Sequence, residues 1–130
     1  MSHVDWIDFD YALIRLVPCV HRGAFVNLGV VLHAPTRSYL GARFLDDLDD
    51  LGRLGDGVDR VRLRRYLEAL TAVTDGDPAG GPLAAMSRSE RFHWLTAPRS
   101  DILQPSPRHP GRAVDPVAAL HEIFATEVLG

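Results

Sequence analysis

The sequence predicts a single α+β domain, in which helices pack on a three- or four-stranded, mainly antiparallel sheet arranged as a meander. Three β-prone runs follow one another near the start of the chain, and helical spacing appears only after them. A chain of 130 residues is long enough for one domain with one core. Apolar residues make up 46% and charged residues 24%, which is typical of a globular chain and not of a disordered one.

Three strands are predicted from apolar runs that are bounded by turn residues. The first covers residues 9–17 and ends at Pro18, and the second covers residues 25–34. The third covers residues 39–45 and follows a short Pro-Thr-Arg-Ser connection. The short connection between the second and third strands favours antiparallel neighbours.

The two faces of these strands predict their register, because a slip of one residue would place apolar side chains opposite polar ones. The apolar faces stay together when Leu32 lies opposite Ala42 and Leu28 lies opposite Ile14. The same register places Arg15 opposite Asn27. It predicts one mixed face, whose members are Arg15, Asn27, Arg43, His33 and Tyr11.

Helical spacing begins at residue 59. Residues 59–74 predict a helix that Asp59 caps, with buried positions at Leu63, Leu67, Leu70 and Thr74. Further along, Ser87 and Glu90 match a capping box, in which each side chain satisfies a free backbone donor of the other. A short helix through Leu95 is expected to follow.

The last predicted helix begins at Asp115-Pro116, a capping residue followed by proline at the first helical position. It is expected to run to about Leu129. Its spacing predicts a buried stripe that consists of Val117, Leu120, Phe124 and Val128.

Two segments predict variable surface loops. Residues 46–58 are acidic and glycine-punctuated, and residues 75–86 contain the turn-rich stretch DGDPAGGP. Residues 96–112 form a third irregular segment, rich in proline and arginine, which we call the strap. Residues 101–104 within it look extended, and Pro105 restricts them to an edge or an end of the sheet.

Charge and composition limit the classes of function. The net charge of −3 gives no global attraction to nucleic acid or anionic membranes, and no apolar run approaches the roughly 20 residues that span a bilayer. The single cysteine, Cys19, excludes an internal disulfide, and the N-terminal residues lack a targeting pattern. We therefore expect a cytoplasmic protein that uses no metal, cofactor or nucleic acid, and the sequence leaves its oligomeric state open.

Several ordered blocks of the chain resemble a known family. They are YALIRLVP at 11–18, RGAFVNLGVVL at 22–32, GARF at 41–44, the stretch 91–111 and DPVAALHEIF at 115–124. Together these blocks resemble a bacterial domain-of-unknown-function family, number 3037. Members of that family are often encoded beside a kinase-like protein of the HipA type. The resemblance therefore implies a protein partner of that kind, and it implies no activity.

All 14 basic residues are arginine, whose planar fork suits carboxylates and phosphates. If Arg22, Arg43 and Arg99 converge at a sheet edge, they form an anion site, whereas the alternative is internal pairing with aspartates and helix capping. The strap is either a rigid binding edge or a structural cover of the sheet. The candidate binding residues are Arg22, Asn27, Arg43, Arg99, Ser100, Gln104, Arg108 and His109.

The residues that suggest catalysis have more ordinary interpretations. Cys19 is more typical of a small apolar filler than of a nucleophile, and Ser106, His109 and Asp115 lack the sharp turn that exposes a catalytic serine. Gly29 is expected to mark a bulge or a close packing contact. No catalytic residue is assigned.

Two main functions follow from these observations, and sequence-independent nucleic-acid binding is a weaker third. The first is a non-catalytic protein-interaction or accessory module that binds through the strap and the adjoining sheet edge. The alternative is a small enzyme or binder of a phosphorylated or carboxylated ligand, with His109 as its acid or base.

Overall fold

A computed structural model describes residues 5–18, 23–49, 51–98 and 102–130. Five strands form one open antiparallel sheet: β1 (Ile7–Leu16), β2 (Val26–Ala34), β3 (Tyr39–Phe44), β4 (Leu103–Pro105) and β5 (His109–Ala113). The sheet order is β3-β2-β1-β4, and β5 also pairs with β1. The α+β class and the meander of the first three strands are confirmed.

Three α-helices pack on this sheet: α1 (Arg60–Asp75), α2 (Arg88–Leu95) and α3 (Pro116–Phe124). The chain continues from α3 into a π-helical turn, Ala125–Leu129. Short 3-10 turns cover Pro35–Arg37, Gly52–Gly55 and Pro78–Ala85. The two segments predicted as surface loops thus contain 3-10 turns. Ala84, which lies in the turn Pro78–Ala85, is buried.

Helices cover both faces of the sheet. One core lies beneath α1 and α2, where Leu67 and Phe92 pack with Ile14 and Val31 of the strands. The other core lies beneath α3 and consists of Ile7, Phe9, Leu13, Val30, Leu32, Ala34, Ala119, Leu120 and Phe124. Alternation of strand side chains divides the apolar residues between these two cores, except at Leu28, where β2 is irregular.

The predicted helix starts are confirmed at each cap. Asp59 accepts a hydrogen bond from the backbone N–H of Arg62 at 3.1 Å, and Ser87 accepts one from that of Glu90 at 3.2 Å. Asp115 caps α3 through the N–H of Val117 at 3.0 Å. All four buried positions predicted for α1 are buried.

The buried stripe predicted for α3 is wrong at Val117, which is 44% exposed. Pro116, Leu120 and Phe124 stand at intervals of four residues and face the sheet with Ala119. Val117 is the residue after Pro116, so the rotation of the helix turns its side chain away from this row and outward.

Part of the predicted register is also wrong. Arg15 does pair with Asn27, but Ile14 pairs with Gly29, because an irregularity at this point of β2 leaves Leu28 without the expected partner. In the next pair, Ala42 lies opposite Val31, one residue from the predicted partner Leu32. Apolar side chains are buried on both faces of β2, so hydrophobicity alone did not distinguish between neighbouring registers.

Candidate functional site

The strap forms one edge of the sheet. β4 pairs with Ile14–Leu16 and β5 pairs with Ile7–Tyr11, so both strands lie along the same side of β1. The register against β1 shifts by one residue between the two ladders. One extra residue is therefore accommodated between β4 and β5. The sequence predicted the extended part near Gln104 but missed β5, because its prolines and glycine are poor strand formers.

Ser106 holds the strap at this break. Its side chain is buried, and its Oγ accepts a hydrogen bond from the backbone N–H of Leu13 at 2.8 Å. The Ser106 N–H in turn donates to the Leu13 carbonyl at 2.7 Å, and its hydroxyl donates to the Pro107 carbonyl at 2.8 Å. The hydroxyl replaces the backbone acceptor that a regular strand would offer. Ser106 is therefore a structural residue.

His109 and Asp115, which with Ser106 have the residue types of a catalytic triad, make separate contacts. The His109 ring lies 5.2 Å from the Tyr11 ring, centroid to centroid. Asp115 caps α3, as described above. These contacts give each of the three a packing or capping role.

Arg108 docks the strap onto α2. Its Nε donates to Thr96 Oγ1 at 3.0 Å, and its Nη2 lies 3.1 Å from His93 Nδ1. The guanidinium carbon stands 5.2 Å from the centre of the Phe92 ring. This candidate binding residue is thus held by its own chain, partly by a cation–π contact.

His33 lies behind this cluster and not on the predicted mixed face. Its side chain is buried, and its ring packs on Phe92 with centroids 5.2 Å apart. Burial lowers the pKa of His33, the charges of Arg108 and Arg88 lower it further, and Asp10 opposes them. Burial therefore favours the neutral form of this ring.

The remaining members of the mixed face do lie together, on the side of α3. Asn27 Oδ1 accepts a hydrogen bond from Arg15 Nε at 3.4 Å, and Asn27 Nδ2 donates to the Glu127 carbonyl at 2.9 Å. Arg43 lies 3.2 Å from His121 Nδ1, and its guanidinium carbon stands 4.2 Å from the centre of the Phe124 ring. Asn27 and Arg43 thus anchor α3 and its π-helical turn.

Those candidate binding residues that the structure describes do not form one cluster. Arg43 lies in β3 at one edge of the sheet, whereas Arg108 and His109 lie in the strap at the other edge, with β2 and β1 between them. Gln104 lies in β4, opposite Arg15. The candidates Arg22, Arg99 and Ser100 lie outside the described residues. The anion site predicted from Arg22, Arg43 and Arg99 therefore has two of its three members outside them.

The strap edge carries an exposed surface that sequence reasoning missed. Ile7 pairs with Ala113, so Trp6 and Val114 leave the sheet at the same end. Trp6 is 61% exposed, and Val114 and Val117 are each 44% exposed. We call these three exposed residues, together with the exposed His109 and Arg112 of β5, the strap corner. Only the pairing of β5, which the sequence did not predict, revealed it.

Charge at the strap corner comes from Arg112, whose Nε lies 3.2 Å from Asp8 Oδ1. Both side chains are largely exposed, at 66% and 80%, so the ion pair contributes little to stability. The guanidinium stays accessible to a further acceptor.

The described residues contain no group of three or more side chains suited to hold a metal ion. Within the same ranges, none of the helices combines the length and the apolar character that crossing a membrane requires.

The comparison with known families gives one match. A family model described as protein of unknown function (DUF3037) matches residues 11–128, which is nearly the whole chain. No curated protein and no solved structure matches the chain.

Proposed function

We propose that this chain, which belongs to the DUF3037 family, is a non-catalytic interaction or accessory module that binds another protein through the strap corner. The observation that carries the proposal is the exposure of Trp6 and Val114 beside the paired residues Ile7 and Ala113, together with the exposure of Val117 in the first turn of α3. Exposed apolar side chains grouped beside polar ones are typical of a contact surface. Tryptophan and arginine are also the residues that most often dominate binding energy at protein interfaces.

The strap supports this role because its backbone is fixed before a partner arrives. Ser106 and Arg108 tie it to β1 and α2 through the hydrogen bonds described above. Its prolines restrict the backbone further, so little conformational entropy is lost on binding. The strap can then be both a structural cover of the sheet and a rigid binding edge, because a cover also has an outer face.

The first partner to test is a kinase-like protein of the HipA type, which the family resemblance suggests. A reducing cytoplasm is the compartment that the single cysteine favours for this interaction.

The experiment is a tagged capture from the native cell at moderate salt, followed by binding of the purified partner. Trp6→Ala should weaken binding by about 2 kcal/mol, which is roughly 30-fold. Val61→Ala is the matched control, because Val61 is 66% exposed on α1, away from the strap corner. Circular dichroism should show that both variants remain folded.

A stoichiometric protein that wild type and Val61→Ala retain, and Trp6→Ala loses, would support the module and its surface. A partner that binds wild type, Val61→Ala and Trp6→Ala equally well would show that the strap corner is not the binding surface. If no protein is captured under several growth conditions, the module itself is rejected, and a thermal-shift screen of phosphorylated and carboxylated metabolites would test the alternative.

A further inference from the structure

The two edges of the sheet differ in how they expose their backbone. In an antiparallel ladder, the N–H and C=O of alternate residues point toward the partner strand, and those of the residues between them point outward. Hydrogen bonds join Val17 to Ile102 at 2.7 Å and Leu13 to Ser106 at 2.7 Å, so Pro105 occupies an outward position. Alternation along β1 places Pro110 at an outward position of β5. Both prolines lack the N–H that an added strand would need.

The opposite edge, β3, has no such protection. Leu45 donates its N–H to the Leu28 carbonyl at 2.9 Å, which continues the register between β2 and β3. By alternation, the backbone groups of Leu40, Ala42 and Phe44 point away from β2. β3 is the terminal strand in the described part of the sheet, and none of its six residues is proline. Three N–H groups and three carbonyls are therefore available to a further strand.

A groove lies beside the C-terminal half of β3, between this strand and α1. It has a volume of about 490 Å³, and its walls include Ala42 and Phe44 from the strand and Leu67 from the helix. A strand added to this edge would lie about 4.8 Å from β3. Six residues of extended chain span about 20 Å, which matches the length of β3.

The groove is acidic. Four carboxylates and two guanidinium groups line it, which gives the lining a net charge of −2: Asp46, Glu68, Asp75, Asp77, Arg43 and Arg64. Arg43 is engaged with His121, and Arg64 donates to the carbonyls of Leu45 and Asp46. The exposed carboxylates of Glu68 and Asp75 form no ion pair among the described residues. They remain available to positive charges on a ligand.

We infer that the outer edge of β3 binds an extended, basic segment of a partner protein as an additional strand. Backbone hydrogen bonds to Leu40, Ala42 and Phe44 hold the segment, and its arginine or lysine side chains meet Glu68 and Asp75. A second copy of this chain is disfavoured, because pairing two β3 edges would bring two acidic grooves together. This site stands at the opposite edge from the strap corner, so it does not depend on the function proposed above.

The test uses a defined probe. An eight-residue peptide that alternates arginine with valine, blocked at both ends and labelled with fluorescein, is titrated with the full chain and followed by anisotropy. Two control peptides carry glutamate in place of arginine, or N-methyl groups on alternate residues. The first control removes the charge complementarity, and the second removes the backbone donors on one edge of the peptide.

Ala42→Pro is the informative variant, because it copies at β3 the protection that Pro105 and Pro110 give to the other edge. It removes one outward N–H and should weaken binding about tenfold. Ala42→Val is the matched control, since valine is similar in size to proline but keeps the backbone N–H. The double variant Glu68→Gln, Asp75→Asn changes exposed side chains only and should weaken binding about threefold to tenfold. Thermal melting shows which variants fold.

Amide exchange gives a direct readout of the site. Peptide should slow the exchange of the Leu40, Ala42 and Phe44 amides and leave those of Gly41 and Arg43, which already bond to β2, unchanged. Saturable binding that Ala42→Val retains, and that the N-methylated peptide lacks, would support the inference.

Several results would overturn it. They are an absence of saturable binding to wild type, equal binding of the arginine and glutamate peptides, and peptide protection outside β3. A wild-type dimer that Ala42→Pro dissociates and Ala42→Val preserves would also overturn it, because a second copy would then occupy the edge. If Ala42→Pro does not fold, the carboxylate double variant and the exchange pattern decide the question.

Discussion

The backbone N–H of Leu13 donates to the side chain of Ser106, across 93 residues of sequence and a distance of 2.8 Å. This bond lies where β4 gives way to β5 along the same side of β1. A strand that shifts its register leaves one donor of its neighbour without a backbone acceptor. The hydroxyl of Ser106 fills that position, so the strap can change register without leaving a buried N–H unpaired.

Ser106→Ala should destabilise the chain by about 1–3 kcal/mol, because it leaves the Leu13 N–H buried without an acceptor. Denaturation in urea measures the change in the free energy of unfolding. Ser89→Ala is the matched control, since Ser89 is exposed in the first turn of α2 and should change stability by less than about 0.5 kcal/mol. Equal stability of the two variants would show that the Ser106 hydroxyl is dispensable.

Gly29→Ala should destabilise the chain by roughly 1–3 kcal/mol. A methyl group at this position would lie 2.2 Å from Cδ1 of Phe44 and 2.7 Å from the carbonyl oxygen of Arg43, so the strands must separate. Phe44→Leu, combined with Gly29→Ala, should recover part of the loss, and a double-mutant cycle measures the coupling. Strict additivity of the two substitutions would contradict the predicted clash.

Arg91→Ala should destabilise the chain by roughly 2–4 kcal/mol, because the buried guanidinium binds three backbone carbonyls. It donates to Val73 at 2.9 Å and Thr74 at 2.8 Å, near the end of α1, and to Met86 at 3.0 Å. Arg91→Lys should recover only part of the stability, since an ammonium does not reproduce the planar fork. Calorimetry compares both with Arg88→Ala, an exposed control in the same helix.

Stability should fall as the pH drops below about 6.5, in part because of His33. Burial lowers the pKa of this residue in the folded state, so the unfolded chain takes up a proton at higher pH. The stabilising contribution is complete above the unfolded pKa and is lost as the pH falls from there toward the folded pKa. His33→Gln should therefore reduce the slope of the free energy of unfolding against pH below about pH 6.5.

An NMR titration of the His33 ring supplies the independent measurement. It should give a pKa below about 6.5 in the folded protein. Asp10, Arg88 and Arg108 provide the surrounding charges, so neutralising Arg108 should shift that pKa upward. An unchanged slope in His33→Gln would assign the acid sensitivity to other groups.

The sequence predicted the features that depend on neighbours within a few residues. Asp59, Ser87 and Asp115 each cap a helix through a backbone N–H only two or three positions ahead. Helical spacing likewise identified Leu63 and Leu67 as buried, and apolar runs bounded by turn residues identified the first three strands. Such contacts form within one element, so their geometry follows from residue type and spacing.

The candidate site was predicted less well, because its formation depends on distant contacts. The sequence suggested Arg43, Arg108 and His109 as binding residues. It contained no signal that their side chains would contact His121, His93 and Tyr11, respectively. The rigid strap was anticipated from its prolines, whereas its second strand and the exposure of Trp6 beside it were not.

The sequence by itself determined the α+β class and the helix caps, since each of these follows from local spacing. Only the tertiary structure decided the register of β1, β2 and β3, the second strand of the strap and the placement of helices on both faces. The physical reason is that the central strand β2 is buried on both faces, so hydrophobicity does not choose between registers that differ by one residue. Contacts such as Gly29 with Phe44 and Leu13 with Ser106 make that choice, and they exist only once distant segments meet.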